Sequence, residues 1–161
     1  MKSIVVFYSL DGNTRMIAQA IAEEIKAALL ELKPKKEIPK KGFSKFFCGG
    51  KSVVFHEQPK LQNEFPDFAE YDTVLIGTPI WAGSFSAPIN TFLKTRNLEG
   101  KQVAFFACHA GGGTDKCFEN LKKELPGCKV LGELSMVSPL ARNPEHNRQK
   151  AVEWAQSLRL T

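Results

Sequence analysis

No C-x-x-C pair occurs among the four cysteines, Cys48, Cys108, Cys117 and Cys128. A zinc-ribbon or thioredoxin-type motif therefore has no basis here. Nor does any apolar stretch approach the ~18 residues that a membrane span requires. The first apolar run, residues 4–8, is too short for the core of a signal peptide and has no small-residue cleavage site after it. The chain also lacks internal repeats and low-complexity linkers. These absences lead to the expectation of a cytoplasmic protein, free of the membrane, whose cysteines are reduced and mostly buried as small hydrophobes.

What is present suits one domain. The 161 residues are 43% hydrophobic and 24% charged, a globular composition long enough to bury a sizeable core. The expected domain spans residues 1–161. Net charge is +5, and the excess is concentrated: Lys33, Lys35, Lys36, Lys40, Lys41, Lys45 and Lys51 stand against the single acid Glu37. Such a segment is either a solvated surface or a contact for an acidic partner, with nucleic acid the less favoured ligand.

Ile4-Val5-Val6-Phe7-Tyr8 is a continuous β-prone run, the pattern of a strand covered on both faces. Residues 74–76 and 103–107 repeat it, and residues 130–134 give a weaker version. A further short strand is expected near residues 28–32. Helical stripes alternate with these runs. Ile17, Ala20, Ile21 and Ile25 form the first. Ile89, Phe92 and Leu93 form the second, entered through Ser86 as cap with Pro88 in the first turn. Phe118, Leu121 and Leu125 form the third, closed by Pro126-Gly127. Asn143-Pro144-Glu145 opens the last helix. Alternating strands and helices impose crossover connections and a parallel sheet with helices on both faces. The expected fold is a doubly wound α/β sheet of five parallel strands. The connection over residues 34–68 is long for such a fold, and a short helix is expected within it near residues 43–54.

In a doubly wound sheet the ligand crevice lies beyond the carboxyl ends of the strands, where the strand order reverses. Three loops belong there. Ser9-Leu10-Asp11-Gly12-Asn13-Thr14 runs straight into a helix whose free N–H groups and dipole suit a phosphate. It matches neither the dinucleotide fingerprint nor the P-loop, and its alternative reading is an ordinary capped turn. Gly77-Thr78-Pro79-Ile80-Trp81-Ala82-Gly83 places a tryptophan at a strand end, where an exposed ring would stack on a planar ligand. The alternative is a ring folded back into the core. Cys108-His109-Ala110-Gly111-Gly112-Gly113 ends a strand in three glycines, either for close approach of a ligand to backbone or as a plain flexible loop. Cys108 and His109 leave the strand on opposite faces, which argues against a thiolate–imidazole pair. They also lack the further ligands a metal needs.

These loops, in this order, resemble the flavodoxin-like family over roughly residues 1–140. The most specific likeness is Y-S-x-x-G-N-T at residues 8–14, followed by G-T-P-x-W-x-G at 77–83 and the glycine-rich stretch 108–113. The resemblance implies the strand order 2-1-3-4-5 and non-covalent FMN. It gives Ser9, Leu10, Gly12, Asn13 and Thr14 to the phosphate. It gives Thr78, Pro79, Ile80, Trp81, Ala82 and Gly83, with Cys108, His109, Gly111, Gly112 and Gly113, to the flavin ring, and the peptide at Ala82-Gly83 to the region of N5. Asp11 stands where the family usually has a hydroxyl, and is expected to turn outward from a phosphate dianion. A second stacking aromatic is absent from the third loop. The implied role is electron transfer with redox protein partners, or, as the alternative, an NAD(P)H-dependent oxidoreductase acting on a quinone or similar small acceptor. No side chain is assigned to catalysis and none to a metal.

Overall fold

The computed structural model describes residues 1–36 and 57–160. Strands β1 (Ser3–Phe7), β2 (Ala28–Glu31), β3 (Thr73–Trp81), β5 (Gln102–His109) and β6 (Lys129–Val137) pair in parallel in the order β2-β1-β3-β5-β6. This is the expected five-strand order. One short strand was not foreseen: β4 (Ser84–Phe85) folds back antiparallel on the end of β3. The helix anticipated at 43–54, Cys48 and Lys40, Lys41, Lys45 and Lys51 lie outside the described residues.

The helices are α1 (Asn13–Ile25), α2 (Ala87–Thr95), α3 (Thr114–Glu124) and α4 (Pro144–Ser157). Strand alternation decides which face each covers. Ile4, Val6, Val74, Ile76, Val103 and Phe105 point to one side, where Ile89 and Phe92 of α2 and Phe118 and Leu121 of α3 pack on them. Val5, Phe7, Leu75, Ala104 and Phe106 point to the other, under Ile17 and Ile21 of α1 and Ala151 and Ala155 of α4. Each central strand is therefore apolar on both faces, as its sequence run implied. The outer strands read weakly because they are the edges: β2 and β6 are largely half-buried or exposed. A register shift opposite Val103/Ala104 also lengthens β6 beyond its apolar core.

Asn143 caps α4 as expected, its side chain accepting from His146 N–H. Ser86 occupies the cap position of α2 but makes no side-chain cap bond. Instead its N–H donates to Thr78 Oγ1 at 2.9 Å, tying the helix start to β3. Beyond β2, Pro34 forms an antiparallel bridge with Leu61. Asn63 pins the end of β2 by accepting from Lys33 N–H and donating to Glu31 O, each at 2.7 Å. Of the described cysteines, Cys108 and Cys117 are buried and Cys128 half-buried, all unpaired.

The α1/α4 side of the sheet depends on one size match. Gly77 of β3 stands in register with Phe106 of β5, and a Cβ at Gly77 would lie 2.1 Å from Phe106 Cζ and 2.3 Å from Cε2. The ring occupies the space that any side chain at 77 would take. Gly77→Ala should therefore destabilise the fold by ~1–3 kcal/mol or more, as overpacking does. Urea unfolding measures it, and the Gly77→Ala/Phe106→Leu double variant should recover part of the loss. An unchanged midpoint in the single variant would mean that the ring does not lie over Gly77.

Candidate functional site

β1 is followed in the chain by β2 on one side, and in the sheet by β3 on the other, so the order reverses at β1. The segments leaving the carboxyl ends of β1, β3 and β5 converge there, and the first of them enters α1. Gly12 takes the left-handed conformation (φ 97°) that turns the chain into the helix. Ser9 Oγ accepts from the N–H groups of Gly12 and Arg15, at 3.1 and 3.2 Å. Asp11 Oδ1 accepts from Asn13 N–H at 3.1 Å. The helix start thus gathers oxygen acceptors from its own loop, as a positive dipole end does. Asp11 is exposed, but its carboxylate turns back onto the helix rather than outward, which corrects the sequence expectation.

The other side chains of this loop are engaged within the protein. Thr14 is buried and hydrogen-bonds the Cys108 thiol, which only partly offsets the burial that pushes Cys108 up to about 12. A thiol so protonated is no nucleophile near neutral pH. Leu10 packs against the core. Asn13 Oδ1 accepts from Leu140 N–H at 2.9 Å across 127 positions of sequence. A Cβ at Gly12 would come 3.2 Å from Leu140 Cδ1. The β6–α4 connection, residues 138–143, therefore forms a fourth wall that sequence reading missed. No local pattern announces it, because the contact exists only once β6 lies beside β5.

The second segment differs from the loop expected at 77–83. β3 continues through Thr78, Pro79, Ile80 and Trp81, and only Ala82 and Gly83 form the turn into β4. Both have positive φ, 48° and 76°, the requirement of a two-residue hairpin with the twist of its strands. Glycine adopts this freely; for Ala82 it is a strained conformation of the kind that clusters at ligand sites. Thr78 is buried, its hydroxyl donating to Pro79 O at 2.8 Å. Trp81 corrects another expectation. It is 1% exposed, its ring edge-on to Tyr8 with centroids 5.5 Å apart, and it belongs with the α2/α3 core. Continuation of the strand carries it inward.

In the third segment Cys108 and His109 do diverge. Cys108 joins the α1/α4 core, while His109 Nε2 lies 2.9 Å from Ser135 Oγ on β6. Gly112 N–H donates to His109 Nδ1 at 2.8 Å. The three glycines are not equivalent. A Cβ at Gly111 or Gly112 would meet nothing within 4 Å, whereas at Gly113 (φ 84°) it would sit 3.2 Å from Gly83 Cα and 3.4 Å from Ile80 Cγ2. Gly113 is the point where the second and third segments touch. Among the described residues no group of histidines, cysteines and carboxylates has the proximity to hold a metal.

A family model described as flavodoxin matches residues 2–154. The chain belongs to the flavodoxin family. Solved structures agree with this placement. A putative flavoprotein from Bacteroides uniformis is 26% identical, with a TM-score of 0.74 over 96% of this chain and 97% of its own. A flavoprotein from Lactobacillus acidophilus, solved in complex with FMN, is 26% identical, with a TM-score of 0.67 over 89% of this chain and 99% of its own. A putative flavoprotein from Bacteroides eggerthii shares the fold at 22% identity and a TM-score of 0.76, over 99% of both chains. In this flavodoxin-family protein no helix among the described residues is long and apolar enough to cross a membrane.

The burial of Trp81 has a measurable consequence. Trp81→Ala should lower the free energy of unfolding by ~3–5 kcal/mol, the range for truncating a buried large aromatic. Denaturant titration of the flavin-free protein reads it. A loss under about 1 kcal/mol would place the ring at the surface, where such substitutions cost little.

Proposed function

We propose that this protein binds FMN non-covalently at the switch point and serves as an electron-transfer protein. The observation that carries the reading is the start of α1, where the N–H groups of Gly12, Asn13 and Arg15 are held within one turn and already draw the oxygens of Ser9 and Asp11. That donor set fits a phosphate monoester. The FMN-bound relative supports the choice of ligand. Ser9, Leu10, Gly12, Asn13 and Thr14 would form the phosphate end, with Asn13 fixing the fourth wall through Leu140 and Thr14 bracing β5 through Cys108. The turn at Ala82-Gly83, with Thr78, Pro79 and Ile80 behind it, and the segment from Cys108 to Gly113 would flank the ring. Trp81 supports that turn from within the core and is given no stacking role.

When bound, FMN supplies one- and two-electron redox chemistry. The protein's part is to orient the ring and limit the water around it, through rigid turns and backbone donors and acceptors. No described side chain is needed as an acid or base. The exposed Lys33, Lys35 and Lys36 suit an acidic redox partner. A second reading, an NAD(P)H-dependent reductase of a quinone or similar acceptor, is favoured by one feature. The third segment carries no side chain larger than a methyl at residues 110–113, which would leave room over the ring. Steady-state oxidation of NAD(P)H with a quinone, at rates above free FMN, decides for that reading; its absence leaves the carrier.

FMN should bind more tightly than riboflavin, by about one to two decades for charge-assisted bonds to the phosphate. Equal affinities in a titration would remove the phosphate role from residues 9–14. Asp11 sharpens the test. Its carboxylate stands at the same N–H groups as the proposed phosphate, so Asp11→Ser should tighten FMN about three- to tenfold and leave riboflavin unchanged. Equal gains for both flavins would show that Asp11 does not face the phosphate.

A further inference from the structure

Residues 110–113 join β5 to α3 without a side chain that could anchor them. The backbone is held at three described points: Gly112 N–H on His109 Nδ1 at 2.8 Å, Gly113 O accepting from Cys117 N–H, and the contact of Gly113 with Gly83. The last two lie at the helix end of the segment. Its tip depends on His109.

The donor in that bond settles the tautomer. Gly112 N–H can only give, so Nδ1 carries a lone pair, and the imidazole proton is on Nε2, donating to Ser135 Oγ at 2.9 Å. Ser135 Oγ in turn shares a hydrogen bond with Thr114 Oγ1 at 3.0 Å. One neutral ring thus joins the end of β5, the glycine tip, the edge strand β6 and the first residue of α3. His109 O completes the clamp by accepting from Ser138 N–H at 2.8 Å.

We propose that His109 is the positioning residue of the third segment: its neutral imidazole holds Gly112 in the conformation that faces the ligand, and protonation at Nδ1 releases it. A proton on Nδ1 converts the acceptor into a second donor, aimed at the Gly112 N–H. The attraction becomes a repulsion, and the ring keeps only its bond to Ser135. Because the glycines have no side chains of their own, nothing else at the tip replaces the lost bond.

The charged environment does not oppose this. Cys108 precedes His109 on β5 but faces the opposite core. On β6, Glu133 is engaged with Lys122 of α3. Asp115 and Lys116 lie on the first turn of α3, and Arg142 on the β6–α4 connection. Among the described residues none of them forms an ion pair with the imidazole. Partial burial holds His109 below its ordinary value near 6.5, so the open segment binds the proton more readily than the closed one. The closed form is therefore fully favoured above pH 6.5 and weakens as pH falls below it.

The effect on flavin rests on the FMN site proposed above; the latch itself does not, and two measurements separate them. In the flavin-free protein, NMR should show His109 Nδ1 as the unprotonated nitrogen at pH 8, and the Gly112 amide should shift as pH falls below 6.5. His109→Asn, whose Oδ1 can accept the same N–H without titrating, should keep the Gly112 amide near its pH 8 position and abolish the shift. A proton on Nδ1 at pH 8, or the same Gly112 titration in both proteins, would overturn the latch. For binding, His109→Ala should speed FMN release about three- to tenfold at pH 8, the loss of one hydrogen bond, and His109→Asn should restore it. Release from the wild type should accelerate below pH 6.5 relative to His109→Asn, a comparison in which titration of the FMN phosphate cancels. Matching release profiles would overturn the link to flavin. A protein that takes up no FMN while the Gly112 signal behaves as described would retain the latch and lose the flavin site.

Discussion

Strand β1 is hydrogen-bonded to a parallel neighbour on each side, β2 and β3, and both of its faces are buried. Parallel pairing requires a crossover for each connection. The crossover from β1 to β2 through α1 covers Val5 and Phe7, while Ile4 and Val6 are buried in the layer on the opposite face. The strand order reverses at β1, and the chain leaves the sheet at Ser9 to enter α1. The crevice is thus a consequence of satisfying the backbone of one central strand.

The site is built on turns rather than on reactive side chains. Positive φ values gather at Gly12, Ala82, Gly83, Gly112 and Gly113, on the three segments that end at the crevice. Each segment is braced by a different device. The first uses acceptors from its own loop, the second a two-residue hairpin closed by β4, and the third an imidazole. Trp81, which sequence reading offered as a ligand contact, supports the second segment from within the core instead, and Thr14 ties the start of α1 to Cys108 of β5. If the site holds FMN as proposed, the chemistry resides in the cofactor, and this kind of rigidity matters more than acids or bases.

Asp11 and His109 are the ionisable side chains that bond the backbone of these segments. Asp11 places a negative oxygen at the helix start, and His109 joins the glycine tip to β6 and α3. In the site proposed above, one would set how much negative charge the phosphate end tolerates, and the other how firmly the ring end is held. They lie on separate segments and share no hydrogen-bond partner among the described residues, so their effects are expected to add.

Much of this was legible in the sequence, for local reasons. Continuous apolar runs such as residues 4–8 and 103–107 mark strands covered on both faces, and period-3.6 stripes such as Ile17, Ala20 and Ile21 mark the helices between them. The order of residue types over 9–14 marks a tight turn into a helix start, and the structure forms one there. What local pattern could not reveal depended on neighbours distant in the chain. Residues 77–81 contain Gly and Pro and read as a loop, yet pairing with β5 and the return of β4 keep them in a strand and carry Trp81 inward. The edge strand β6 lacks an apolar run because one side of it has no strand partner among the described residues, so its true length emerged only from its register with β5. The bonds from Asn13 to Leu140 and from His109 to Ser135 span 127 and 26 positions. Composition and periodicity determined the elements and their order; which side chains became braces and which faced the crevice was decided only when the sheet brought the strand ends together.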